Sequence, residues 1–84
     1  MIDLNRAVAV GMAFGPEAAL PLVDALATEP PMDRYHLLHA VRADLLVKLA
    51  RPAEAGMAFE RAAELTQNQR ERALLLERAR GTLK

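Results

Sequence analysis

The sequence predicts an all-α fold, an array of two antiparallel helical hairpins closed by a C-terminal capping helix. Apolar residues recur at spacings of three and four, which is the period of a helix face and not of a strand. Pro16 and Pro52 each stand where one apolar pattern stops and the next begins, the place where proline suits the first turn of a new helix. The two halves also superpose. A shift of 36 residues carries Ala7 onto Ala43, Val10 onto Leu46, Pro16 onto Pro52, Ala19 onto Ala55 and Val23 onto Phe59, with only Leu26 onto Ala62 breaking the match in size.

Helix one is expected to open after Asp3, whose carboxylate can cap free amides, and to run through Leu4, Ala7, Val8, Val10 and Phe14 until Gly15. Helix two restarts at Pro16 and carries Ala19, Leu22, Val23 and Leu26. Pro21 lies inside it and predicts a local bend or a tolerated proline, because the periodicity continues past it. Thr28 to Met32, with Glu29-Pro30-Pro31, is the loop between units, and Asp33 is the expected cap of helix three. The stretch from Tyr35 to Thr66 is the organising hairpin. Leu38, Val41, Leu45, Leu46 and Leu49 face Ala55, Ala58, Phe59, Ala62 and Ala63 across a tight turn at Arg51-Pro52, with alanines permitting close backbone approach. Gly56 inside helix four costs about 1 kcal/mol relative to alanine and predicts close packing there. Asn68 and Glu71 have capping-box spacing and open a fifth, capping helix over about 69–81. The units fall at about 4–28 and 34–66, a helix-turn-helix period near that of tetratricopeptide repeats.

Composition bounds the function. Eighty-four residues with 52% hydrophobic and 26% charged content fit one small helical domain of about 4 to 12 kcal/mol net stability. Cysteine is absent, so disulfides and thiolate metal sites are excluded, and the reading fits a cytoplasmic protein. No apolar run reaches membrane-spanning length, and Asp3 sits where a signal peptide would be basic. The formal charge is zero, yet residues 1–34 set five acids against two arginines, net −3, while residues 67–84 set five bases against two acids, net +3. That separation suits oriented protein contacts, including head-to-tail ones, better than independent nucleic-acid binding, for which aromatic stacking residues are also lacking.

Residues able to carry chemistry are few. Asp33, His36 and His39 share one side of a helix at metal-ligand spacing, but the capping use of Asp33 and the packing use of interface histidines account for them, so no metal is expected. There is no serine, no cysteine and no glycine-rich phosphate loop, and Glu60 with Glu64 reads as a solvated carboxylate face, so no enzyme and no cofactor are expected. Arg61 with Glu64 and Asp44 with Lys48 are expected surface pairs. Phe14 and Phe59 are expected in the core. Tyr35 either closes over a turn or meets a partner. The first helices of the two units should line a groove, with Asn5, Arg42, His39 and Tyr35 as candidate protein contacts. For Arg42 the competing role is a local ion pair. Arg70, Arg72, Arg78 and Arg80 form a candidate basic surface.

The run Leu4-Asn5-Arg6-Ala7-Val8-Ala9-Val10, then Gly15-Pro16-Glu17-Ala18-Ala19 and Leu22-Val23-Asp24-Ala25-Leu26, resembles the C-terminal extension of bacterial extracytoplasmic-function sigma factors. Tyr35 to Leu46, Ala62 to Thr66, Asn68 and Glu71-Arg72 continue the likeness across nearly the whole chain. The resemblance implies a tetratricopeptide-like domain behind the parts of a sigma factor that bind polymerase and promoter, without promoter recognition of its own. It implies a regulatory or protein-contacting role whose partners are the factor's own other domains, core RNA polymerase or a separate regulatory protein. Asn5, Arg6, His36, His39, Arg42 and Asp44 are its distinctive residues. The alternatives are a purely structural extension or an accessory nucleic-acid contact through the basic helix. Departures from the general repeat are Ala50-Arg51-Pro52, where a turn glycine is common, and Gln67, where proline often stands. With only two full units, either helix five supplies the missing cover or the open face at helix one is covered by a second copy of the chain, a homodimer.

Overall fold

The computed structural model describes residues 3–83. Five helices follow one another: α1 Leu4–Phe14, α2 Pro16–Leu26, α3 His36–Lys48, α4 Pro52–Leu65 and α5 Gln69–Leu83, with a single 3-10 turn at Met32–Arg34. No strand occurs among the described residues. Consecutive helices pack on one another along the array, α1 on α2, α2 on α3, α3 on α4 and α4 on α5. The all-α hairpin array read from the sequence is the fold observed.

Local chemistry sets the boundaries. The Asp3 carboxylate accepts from the Arg6 amide at 2.8 Å and starts α1. Gly15, at φ 98°, takes the chain directly from α1 into α2. Helix α2 runs unbroken through Pro21, whose ring is exposed. Helix α3 closes in a Schellman turn. The Arg51 amide donates to Leu46 O at 2.9 Å, the Ala50 amide donates to Val47 O at 3.0 Å, and Ala50 holds the left-handed conformation at φ 57°. Ala50 thus holds the left-handed place that glycine commonly takes at a helix end. At the head of α5, the Glu71 amide donates to Asn68 Oδ1 at 2.9 Å, which is half of a capping box. The Glu71 carboxylate does not turn back to its own helix. It accepts from the Thr66 hydroxyl at 2.9 Å and lies 3.0 Å from His36 Nε2, setting α5 against the start of α3.

The core is a row of small residues interleaved with large ones. Phe59, Leu38, Leu46 and Val23 are the largest fully buried side chains, and Ala7, Ala19, Ala43, Ala55 and Ala62 are completely buried between them. Gly56 is buried in α4. A Cβ added to Gly11 would stand 3.0 Å from Ala19 Cβ, so the first hairpin depends on a glycine for its closeness.

Three expectations are corrected. Phe14 is not core: it is 77% exposed, because it ends α1 at the chain reversal and no described helix covers that end. Asp33 does not cap α3. It sits in the 3-10 turn, α3 starts at His36 without a side-chain cap, and Asp33 Oδ1 is buried with no hydrogen-bond partner. Asp44 does not pair with Lys48. Its carboxylate takes the Arg78 guanidinium of α5 at 2.7 Å.

Helix α5 caps the array, and it does so in phase with the repeat. The dipeptides Arg6-Ala7, Arg42-Ala43 and Arg78-Ala79 recur at intervals of 36 residues, and each alanine is buried, Ala79 included. Helix α5 therefore occupies the place of the first helix of a third unit.

Candidate functional site

Helices α1 and α3, the first of each unit, stand side by side and leave an apolar trough. One hollow of about 180 Å³ lies between Val8, Gly11 and Met12 of α1 and Val41, Leu45 and Lys48 of α3. A second, of about 380 Å³, continues toward the start of α1 between Asn5, Val8, Met32, Tyr35, Leu37 and Val41. Val8 and Val41 line both, so the two hollows adjoin along one trough. Gly11 lies on its lining, where α1 also packs closely on Ala19 of α2. Met12 is 85% exposed, Leu37 43% and Tyr35 40%, so its rim shows apolar surface to solvent. Polar groups sit at its ends, Asp3 and Asn5 at one and Asp44 and Lys48 at the other. Such a surface holds an apolar segment and offers a few polar groups to fix its direction.

Of the four candidate contacts read from the sequence, Asn5 and Tyr35 line the trough. Arg42 and His39 do not. Arg42 turns to α2, where Nε donates to Asp24 Oδ1 at 2.7 Å, the ion-pair role weighed against its contact role. His39 Nε2 donates to the Asp33 carbonyl at 2.8 Å and holds the 3-10 turn against α3. Since His36 Nε2 reaches Glu71 instead, the two imidazoles and Asp33 diverge, and no metal-holding cluster of three such residues exists among the described residues.

The basic surface is likewise divided. At about 100° per residue, Arg70, Arg72, Arg78 and Arg80 point to different sides of α5. Arg72 donates to the Ala63 and Thr66 carbonyls at 2.9 and 2.8 Å, satisfying the end of α4. Arg78 lies over the Phe59 ring at 4.5 Å and pairs with Asp44. Two of the four arginines thus serve the fold. Arg61 with Glu64 is a surface pair at 3.3 Å, as expected.

Sequence reasoning missed Val8, Met12 and Leu37 as trough residues. Their signal lies in Val8, within the apolar run of α1, and in Met12 and Leu37, apolar residues outside the runs read for α1 and α3.

No family model and no solved structure matches the chain. An uncharacterized protein of Rhizobium meliloti (strain 1021) is 43% identical over 75 residues, covering 89% of this chain and 17% of that protein. The chain therefore spans about one sixth of the length of the curated relative it matches. Among the described residues, no helix is long and apolar enough to cross a membrane.

Proposed function

We propose that this chain is a non-catalytic protein-interaction domain of an extracytoplasmic-function sigma factor. It modulates transcription initiation from the cytoplasm through the trough between α1 and α3. The observation that carries the reading is the trough itself, two adjoining hollows between the first helices of both units, mostly apolar in lining and open at the rim. The sigma-factor assignment rests on the resemblance of the polar residues, Asn5, Arg6, His36, His39, Arg42 and Asp44. A match confined to one sixth of a longer relative suits a domain carried within a larger protein. The occupant is an apolar segment of the sigma factor's other domains, of core RNA polymerase or of a separate regulatory protein.

Co-purification of the chain with the separated sigma-factor region and with core polymerase tests this. Met12→Glu and Leu37→Glu place charge in the trough at exposed positions, so helicity and melting temperature should hold while retention is lost. Retention that survives both substitutions would reject the trough. A well-folded chain retained by neither component, and without effect on transcription when varied, would reduce the domain to a structural extension.

A further inference from the structure

The opposite end of the array carries a second surface, which shares no lining residue with the trough. Helices α4 and α5 run antiparallel there and leave two shallow hollows. One, of about 270 Å³, lies between Glu60 of α4 and Leu76, Ala79 and Arg80 of α5. The other, of about 370 Å³, lies between Glu60, Ala63 and Glu64 of α4 and Arg72 and Leu76 of α5. Leu76 stands between them, 42% exposed, over the buried Ala63 and Ala79. In the preceding unit the first helix, α3, packs on its own second helix, α4, whereas no helix follows α5 among the described residues. In α5 the same register is reached and its outer side is open.

The charge on this face is sorted by helix. The α4 edge presents Glu60 and Glu64, and the α5 edge presents Arg72 and Arg80. Glu60 and Arg80 line the same hollow and neither has an ion-pair partner among the described residues, whereas Glu64 is paired with Arg61 and Arg72 is held by the Ala63 and Thr66 carbonyls. A face acidic along one edge and basic along the other is complementary to itself. Only one two-fold arrangement uses this. An axis parallel to the helices and between them lays α4 of one copy over α5 of the other, which brings Glu60 to Arg80 twice over. An axis across the helices would set acid on acid.

We infer that the α4–α5 face is a homodimer interface with that two-fold axis, Leu76 of each copy at its centre. Two helices of about 21 Å lying about 10 Å apart give a small footprint, so the dimer is a weak one that forms with rising concentration.

The test is sedimentation equilibrium of the whole chain over a roughly hundredfold concentration range. The wild type is expected to pass from monomer to dimer and to stop there. Glu60→Arg and Arg80→Glu should each weaken the dimer about tenfold, and the two together should restore it, while Leu76→Glu abolishes it. Circular dichroism of each variant confirms that the fold is intact, since all three positions are exposed. Monomer mass throughout, a dimer indifferent to both reversals, a double variant that is not restored, or masses growing past two copies would overturn the proposal. The last would signal open head-to-tail stacking.

Discussion

Replacing Ala50 by glycine should stabilise this protein. Among the described residues Ala50 is the non-glycine residue with positive φ, 57°, and both Schellman hydrogen bonds that close α3 depend on its holding that conformation. The left-handed region costs an alanine about 1–2 kcal/mol because its Cβ crowds the following carbonyl. Glycine escapes that cost but loses about 0.5–1 kcal/mol more backbone entropy on folding. The net expectation is a gain of about 0.5–1 kcal/mol. With unfolding entropy near 2.1 cal/mol/K per residue, 84 residues give about 0.18 kcal/mol/K, so Tm should rise by about 3–6 °C. Ala50 is exposed and lies outside both surfaces described above, so the gain should leave binding unchanged. Thermal unfolding followed by circular dichroism and by calorimetry measures it at dilute concentration. Ala50→Val, which keeps the strain and adds branching, should lower Tm in the same assay. A Tm unchanged or lowered by glycine would refute the reasoning, for it would mean that the left-handed turn is not the conformation the folded chain holds.

Other consequences are open to the same instruments. Gly11→Ala should lower Tm even though alanine favours helices by about 1 kcal/mol, because its Cβ would meet Ala19 Cβ at 3.0 Å in a packed hairpin; Gly11→Leu should lower it further. Phe14→Ser should alter stability by less than about 0.5 kcal/mol in denaturant unfolding, whereas Phe59→Ala should cost about 3–5 kcal/mol. A double-mutant cycle of Arg78→Ala with Asp44→Ala should give a coupling of no more than about 1 kcal/mol, since both side chains are about half exposed, with a separate loss from Arg78 leaving the Phe59 ring.

What the sequence showed clearly was whatever local periodicity determines. The prolines at the start of α2 and α4, the alanines of the hairpin contacts, the Asp3 cap and the Asn68 cap are all decided within a turn or two of chain, and each stands where it was read. The misreadings share one cause. Phe14 continues the apolar pattern of α1 but lies past the last helix that could cover it. Asp33 has the chemistry of a cap, but the 3-10 turn moves the helix start three residues beyond it. Asp44 has a lysine four residues on and an arginine from another helix within reach, and takes the arginine. Each outcome depends on what stands opposite in space, which spacing along one helix does not contain.

The three arginines at intervals of 36 residues make the same point with identity held constant. Arg42 reaches back to Asp24 on α2, the helix before its own. Arg78, in the equivalent place on α5, also reaches back, and finds the Phe59 ring of α4 and the Asp44 carboxylate of α3. Arg6 has no earlier helix among the described residues and is exposed, although its neighbour Ala7 is as buried as Ala43. The alanine is fixed by packing within the array and so repeats in structure as it repeats in sequence. The arginine is a backward-facing connector whose partner changes with position, and it ties α3 and α5 to what precedes them. Grouped with its neighbours in α5, Arg78 reads as part of a basic surface; grouped with Arg6 and Arg42 it belongs to the repeat.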